Sequence, residues 1–166
     1  MTTYTNKEIE QFIHISKTIE NKIHSKGMEK LLDVYHKMDI FKNLTKKEFQ
    51  SIIYSVKFLQ FYEKDFIMQE GEKESEIYYI LSGQCTLIKK GKNISTLKEG
   101  QTFGENGLIV GETRRIASVV VTSQKIVVLS FKIDHTNTEF GSQALLKVYQ
   151  NIMKLLKTKL EKIDII

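Results

Sequence analysis

The residues best suited to chemistry lie between Phe103 and Val120. This segment holds three glycines, at 104, 107 and 111, and both arginines of the chain, Arg114 and Arg115. Arginine can grip a phosphate through two parallel hydrogen bonds, whereas lysine offers a mobile point charge. Glycines permit tight turns with open backbone N–H groups, and the carboxylate of Glu105 can accept hydrogen bonds from sugar hydroxyls. The residue types therefore indicate a sugar-phosphate pocket, and the alternative is an ordinary polar loop between two strands.

The same segment resembles the phosphate-binding cassette of the cyclic nucleotide-binding domain family. That cassette reads roughly F-G-E-x-(A/G)-L, a short spacer, and R-x-A-(S/T)-V. The matching residues here are Phe103, Gly104, Glu105, Asn106, Gly107, Leu108, Arg115, Ile116, Ala117, Ser118 and Val119. The ten-residue step from Glu105 to Arg115 and the glycine at 107 are similar to the bacterial catabolite activator branch. The resemblance covers about residues 38–160 and favours a stand-alone, bacterial-type member of the family.

The resemblance implies a role for each end of the cassette. Glu105 would accept hydrogen bonds from a ribose 2′-hydroxyl, and Arg115 would bind the cyclic phosphate with help from nearby backbone N–H groups. If the residues from 115 onward are extended, Arg115, Ala117 and Val119 share one face of the strand. Arg114 is the alternative phosphate ligand, but its place in the sequence favours a loop residue that faces solvent.

Several positions bear on which nucleotide binds and how its base is held. The family often has serine or threonine after the arginine, and threonine there favours cGMP. This chain has Ile116, which offers no side-chain hydrogen bond, so the predicted ligand is cAMP, with cGMP as the alternative. Lys159 and Leu160 stand roughly where the catabolite activator offers hydroxyls to adenine, so we expect an apolar cap from Leu156 or Leu160. Asn106 replaces the usual aliphatic residue, which would loosen the packing or add a polar contact.

The elements that must position these residues are short strands. From Val56 onward the apolar residues alternate, in segments separated by glycine-bearing turns, and this pattern predicts seven or eight strands in a β-roll or jelly-roll barrel. The acidic turn at residues 70–74 is interpreted as a solvated loop. The fold prediction is α+β: an antiparallel β-roll (a double-stranded β-helix jelly roll) flanked by N-terminal helices and a long C-terminal helix. The predicted divisions are residues 1–37, 38–135 and 136–166.

Helices are predicted on both sides of the strands. Capping boxes at Thr5–Glu8 and Thr45–Glu48 predict helix starts, the first helix running over residues 5–25, and a short helix is expected near residues 28–37. A broad apolar stripe predicts a long helix over about residues 139–163. The N-terminal helix packs either on the chain itself or on a partner. The C-terminal stripe packs on the β-roll, or serves as a lid and dimerisation surface.

Composition and charge argue against several kinds of partner and against a metal-dependent enzyme. The net charge of +5 is dispersed, so no nucleic-acid partner is expected, and the single cysteine, Cys85, is compatible with a reducing cytoplasm. No apolar run is long enough to span a bilayer, so no membrane partner is expected. The four histidines are scattered and absent between residues 37 and 134, which argues against a metal, a cofactor or a cupin-like enzyme.

Two functions remain open from the sequence. The first is a non-enzymatic cytoplasmic sensor, in which cAMP binding moves the terminal helices and an effector protein or second protomer reads the change. The chain has no kinase motif and ends where catabolite activator-type regulators begin their helix-turn-helix, so DNA binding of that type is not expected. The second is a degenerate interaction module that keeps the roll but binds another ligand or none.

Overall fold

Two compact units make up the computed structural model, which describes residues 4–11, 33, 35–53, 56–108, 114–132 and 139–161. One unit lies within Met1–Lys17 and Ser55–Lys132, and the other lies within Thr18–Tyr54 and Ile133–Ile166. Most of the helix predicted near residues 28–37, and the first predicted helix beyond residue 11, lie outside the described residues.

The first unit is built on eight strands. Their bounds are β1 Lys57–Tyr62, β2 Phe66–Met68, β3 Ile77–Ser82, β4 Cys85–Lys89, β5 Lys92–Leu97, β6 Thr102–Phe103, β7 Ser118–Val121 and β8 Lys125–Phe131. They form two antiparallel four-stranded sheets, in the orders β1-β8-β3-β6 and β2-β7-β4-β5. The predicted α+β fold with an antiparallel β-roll is confirmed.

The core of the roll explains the apolar sequence of the central strands. Strands β3 and β8 lie side by side in the middle of the first sheet and are buried along almost their whole length. Ile80, Cys85, Val119 and Val128 contribute fully buried side chains from four strands. Strand β5, at the edge of the second sheet, is exposed at most positions. This contrast follows from position, because a central strand packs on both faces whereas an edge strand meets water.

The N-terminal segment packs on the roll over its described part. Helix α1 occupies residues 6–11, and its predicted capping box is confirmed: the Thr5 N–H donates to Glu8 Oε2 at 2.8 Å and the Glu8 N–H donates to Thr5 Oγ1 at 3.2 Å. Just before it, the hydroxyls of Tyr4 and Tyr79 share a hydrogen bond, and their rings meet edge-on at 6.2 Å. These contacts place the start of the chain against β3.

The second unit is helical. It contains a 3₁₀ helix at Asp39–Phe41, helix α2 at Lys46–Ile53 and helix α3 at Glu139–Glu161, which confirms the predicted C-terminal helix. The second capping box is confirmed as well, because the Thr45 N–H donates to Glu48 Oε2 at 2.8 Å. None of the described helices is long and apolar enough to cross a membrane.

Helix α3 is attached to the shorter helices by polar bonds as well as apolar packing. Its Asn151 is 5% exposed and donates to the backbone oxygens of Ile40 and Lys42, at 3.0 and 2.8 Å. Lys147 Nζ donates to Glu48 Oε2 at 2.8 Å. The apolar stripe includes the buried Val148 and Ile152, and the same helix exposes Leu146 and Met153.

Candidate functional site

Arg115 is the centre of the site because it is a buried charge. Its residue exposure is 1%, and its backbone is held on both sides by the β2–β3 turn: the Arg115 N–H donates to Glu72 O and the Gly71 N–H donates to Arg115 O, each at 2.8 Å. The predicted alternation is confirmed: Arg115 and Ala117 are both buried, and Ile116 between them is 58% exposed. The backbone thus directs the Arg115 side chain into the roll.

The guanidinium of Arg115 is only partly satisfied by protein groups. Nη2 donates to Glu76 O at 2.8 Å and Nη1 donates to Gly104 O at 3.3 Å. The carboxylate oxygens of Glu74 and Glu76 lie 4.0 and 3.9 Å from Nη2, too far for direct hydrogen bonds. The buried Nε has no hydrogen-bond partner among the described residues. A buried charged donor without a partner is unfavourable, so this atom is suited to an anion.

Gly104 makes the close approach of the guanidinium possible. Its φ is +78°, and a Cβ built on it would lie 2.7 Å from Glu76 O and 2.9 Å from Arg115 Nη1. Both distances are shorter than any ordinary contact. A side chain at 104 would therefore displace the arginine or the carbonyl that holds it.

Two stacked aromatic rings lie beside the guanidinium of Arg115. Phe103, on β6, pairs with Tyr78, on β3, and their rings stack with centroids 4.9 Å apart. The Arg115 Cζ lies 5.9 Å from the Tyr78 ring centroid, within reach of a cation–π interaction. Burial, followed by the negative charges of Glu74 and Glu76, raises the pKa of Tyr78 to about 12. Tyr78 is therefore neutral near pH 7 and adds no charge to the site.

Glu76 links the arginine to the end of the roll. Burial opposes its ionisation, but a hydrogen bond from its own backbone N–H, the bond and charge of Lys132, and the charge of Arg115 together lower its pKa below the ordinary value. Lys132 Nζ lies 3.1 Å from Glu76 Oε1. The carboxylate therefore stays ionised near neutral pH, and its charge partly balances that of Arg115.

Glu105 begins the 3₁₀ helix Glu105–Leu108 and is half-buried. The hydroxyl of Thr102 donates to Glu105 Oε1 at 2.6 Å, a length typical of a hydrogen bond to a charged oxygen. Glu105 follows Gly104, whose carbonyl accepts a bond from Arg115, so the guanidinium contacts this turn one residue before Glu105. No bond joins the Glu105 carboxylate to Arg115 among the described contacts.

Asn106 adds a polar contact, one of the two outcomes expected for this substitution. Its Nδ2 donates to Arg114 O at 2.9 Å, which joins the two ends of the segment between them. Arg114 is exposed, as predicted, and its Nη1 donates to Gly71 O at 2.9 Å. Ser118 Oγ accepts a bond from the Glu70 N–H at 2.9 Å. The cassette is thereby fastened to the acidic turn on one side and to itself on the other.

The structure describes only some of the remaining predicted site residues. The surroundings of Gly107, and the side chains of Leu108 and Leu160, lie outside the described part of the chain. Leu156 is half-buried on α3, in the helical unit, and the purine cap stays a prediction. Among the described residues, no group of three or more His, Cys, Asp or Glu side chains has the arrangement of a metal site.

Sequence reasoning missed three contributors to this site: Thr102, Glu76 and Tyr78. The acidic turn at 70–74 is exposed as predicted, yet its backbone holds Arg115 and its last member, Glu74, faces the guanidinium. A usable signal was the acidic pair at 74 and 76 just before a buried strand, because a buried arginine requires opposite charge nearby.

Comparison with known proteins addresses the family directly. The sequence model of the cyclic nucleotide-binding domain matches residues 58–141 of the 166. The chain belongs to the cyclic nucleotide-binding domain family. The family match runs from the second residue of β1 through β8, and it includes the whole cassette and the start of α3.

This chain is similar in sequence to a kinase and in fold to solved structures of regulatory domains. A cGMP-dependent protein kinase of Plasmodium berghei (strain Anka) is 39% identical over 89 residues, which cover 54% of this chain and 10% of the kinase. The sensor domain of the transcriptional regulator DNR from Pseudomonas aeruginosa has a TM-score of 0.60 at 16% identity, covering 79% of this chain and 94% of that one. The regulatory domain of Toxoplasma gondii PKA, crystallised with cAMP, has a TM-score of 0.51 at 18% identity, covering 67% and 43%.

These matches differ in what they show. At 16% and 18% identity, the two solved structures show the shared fold alone. The kinase match spans about one tenth of that protein, so the similarity concerns the binding domain and not the kinase as a whole. The resemblance to the bacterial branch stays a prediction, because the sequence match is to a kinase and the bacterial structure shares the fold alone.

Proposed function

We propose that this domain is a regulatory sensor that binds a cyclic nucleotide, with cAMP preferred to cGMP. The observation that carries the proposal is the buried guanidinium of Arg115, whose Nε has no partner among the described residues. A cyclic phosphate would give this group charge-assisted hydrogen bonds of the kind that arginine forms best. Family membership supports the same class of ligand.

The electrostatics of the site favour a singly charged phosphate diester. Glu74 and Glu76 already balance part of the charge on Arg115, at 4.0 and 3.9 Å. A cyclic phosphate carries one negative charge, whereas a terminal phosphate carries nearly two near pH 7 and would be repelled more strongly by these carboxylates. We therefore expect the cyclic nucleotide to bind more tightly than the linear 5′-monophosphate of the same base.

The sugar contact is proposed for Glu105. One of its oxygens is bonded to Thr102, and the second has no hydrogen-bond partner among the described residues. An ionised carboxylate accepts about four hydrogen bonds, so it can hold Thr102 and a ribose 2′-hydroxyl together. The remaining cassette residues, Gly107 and Leu108 included, would supply backbone N–H groups to the phosphate.

The base preference rests on Ile116. This side chain is 58% exposed and follows Arg115 directly, where it can give the base apolar contact but no hydrogen bond. The 2-amino group of guanine would lose water there without a replacement, whereas adenine has no such group. The similarity to a cGMP-dependent protein kinase is the reason to test both nucleotides side by side.

We place the output of the sensor in the terminal helices. Ligand binding would shift the balance between two arrangements of these helices, to the extent that the ligand binds one arrangement more tightly. An effector protein or a second protomer would then read the change. The proposed purine cap, from Leu156 or Leu160, would give the ligand its differential contact.

One observation favours the alternative of a degenerate interaction module. The guanidinium of Arg115 already donates to two backbone oxygens and faces two carboxylates. A charge that is balanced internally can serve the fold alone, without any anion. The two functions differ in a single measurable property, the affinity for a cyclic phosphate.

Isothermal titration calorimetry on the folded protein with cAMP, cGMP and 5′-AMP tests the proposal. We expect cAMP to bind more tightly than cGMP by about fivefold, the value of one neutral hydrogen bond. Binding of 5′-AMP should be weaker than that of cAMP. Affinity in the millimolar range or weaker for both cyclic nucleotides would support the degenerate module, and tighter binding of cGMP would contradict the role given to Ile116.

A further inference from the structure

The hydroxyl of Thr102 donates a hydrogen bond to Glu105, the carboxylate that is proposed to bind the sugar. Thr102 lies on β6 and is 7% exposed, and its Oγ1 donates to Glu105 Oε1 at 2.6 Å. We propose that Thr102 is a positioning residue that fixes the Glu105 carboxylate and thereby selects ligands that carry a 2′-hydroxyl. The inference rests on the proposed function, and it extends that function to a residue outside the cassette pattern.

The backbone around Thr102 is rigid enough for such a role. Thr102 pairs with Tyr79 of β3 in the first sheet, and Phe103 beside it stacks on Tyr78. The Oγ1 therefore projects from a strand anchored in the core, three residues before the carboxylate that it holds. A donor on a strand is placed more accurately than one on a loop.

The bond acts on the freedom of the glutamate side chain. Glutamate has several rotatable bonds and loses much conformational entropy when it is ordered. With Oε1 bonded to Thr102, part of that ordering is complete before any ligand arrives, and this preorganisation strengthens binding. Removal of the hydroxyl would leave a half-buried carboxylate with one acceptor fewer satisfied and more rotamers to populate.

This mechanism predicts an effect confined to one part of the ligand. Thr102 has no role at the phosphate, because the groups around the guanidinium come from other residues: Gly104, Glu74 and Glu76. A change at Thr102 should therefore matter for cAMP, which has the 2′-hydroxyl, and not for 2′-deoxy-cAMP, which lacks it. A general loss of structure would affect both ligands alike.

The test is calorimetric titration of wild type, Thr102→Val and Thr102→Ser with cAMP and 2′-deoxy-cAMP. Valine keeps the shape and the strand preference of threonine but cannot donate. We expect Thr102→Val to weaken cAMP about three- to tenfold, the cost of ordering one flexible side chain on binding, and 2′-deoxy-cAMP by less than about twofold. Thr102→Ser should restore most of the loss. Thr96→Val, on the exposed part of β5, is the matched control and should bind both ligands as wild type does.

The possible results distinguish a failure of the Thr102 role from a failure of cyclic nucleotide binding. Wild type that binds cAMP and 2′-deoxy-cAMP equally, or a Thr102→Val variant that loses both to the same extent or neither, would overturn the positioning role and leave phosphate binding intact. Wild type that binds neither ligand would defeat the proposed function itself, and the inference with it. If Thr102→Val does not fold, Thr102→Cys gives the same contrast, because a thiol is only a weak donor.

Discussion

Replacing Arg115 with alanine is the most direct test of the proposed phosphate contact. A hydrogen bond to a charged group contributes about 1.5–3 kcal/mol, and a bidentate contact comprises two of them. Part of this gain replaces existing bonds, because the guanidinium already donates to Gly104 O and Glu76 O. We therefore expect Arg115→Ala to weaken cAMP binding by about 2–4 kcal/mol, which corresponds to roughly 30- to 1000-fold.

Arg114→Ala is the matched control, because it removes the same charge one residue away. Arg114 is exposed, and its side chain donates to Gly71 O, away from the buried guanidinium. An exposed charge acts through screened, long-range attraction, so we expect a loss of less than about threefold, shrinking further in high salt. Arg115→Lys keeps the charge without the planar fork and should fall between wild type and Arg115→Ala.

The assay pairs calorimetric titration with thermal unfolding of each variant. Arg115→Ala also removes the charge that faces Glu74 and Glu76, so some loss of stability is expected. Affinity is therefore compared only at temperatures where each variant is fully folded. Normal cAMP binding by folded Arg115→Ala, together with lost binding by Arg114→Ala, would refute the assignment of the phosphate ligand.

Two further predictions concern stability. At pH 7, Glu48→Gln should destabilise the helical unit by about 1–2 kcal/mol, because the ionised carboxylate is bonded to Lys147. Burial opposes ionisation of Glu48, but the Lys147 and Thr45 hydrogen bonds outweigh it and lower its pKa, so the advantage of wild type holds above about pH 4.5 and is lost as pH falls through the folded-state pKa. Urea unfolding of both proteins from pH 7 to about 3 measures this, and a pH-independent difference would contradict it. Gly104→Ala should cost about 2–4 kcal/mol in the same assay, through positive φ and steric overlap. Gly71→Ala, with φ +88° and no heavy atom within 4 Å, should cost about 1 kcal/mol, and equal costs would refute the steric argument.

Much of the fold was predictable because its signals are local. Both capping boxes are defined by residues three apart, and both form the expected bonds. Runs of alternating or wholly apolar residues predict seven or eight strands, and the described part of the chain has eight. Strand β6 was missed as a separate strand because two residues, Thr102 and Phe103, are too few to show a period.

The site was predictable only as far as its own segment of sequence. Simple alternation predicts that Arg115 and Ala117 share a face opposite Ile116, and the structure buries the first two and exposes the third. The contributions of Glu76 and Tyr78 did not, because they depend on which distant strand lies beside the cassette, and a sequence gives no pairing between strands separated by such long stretches. Thr102 was adjacent to the cassette, but its bond to Glu105 depends on the turn at Gly104, a backbone conformation that side-chain patterns do not specify.

The bond between Asn106 and Arg114 bears on which changes in length this part of the chain can tolerate. It joins the residue after Glu105 to the residue before Arg115. The two proposed ligand-binding residues are therefore connected by a hydrogen bond as well as by the chain between them. Insertions or deletions within that intervening stretch would then be absorbed locally, as in a loop closed at its stem. In this chain, a change of length between residues 106 and 114 would therefore leave the bond that joins the two ends of the cassette in place.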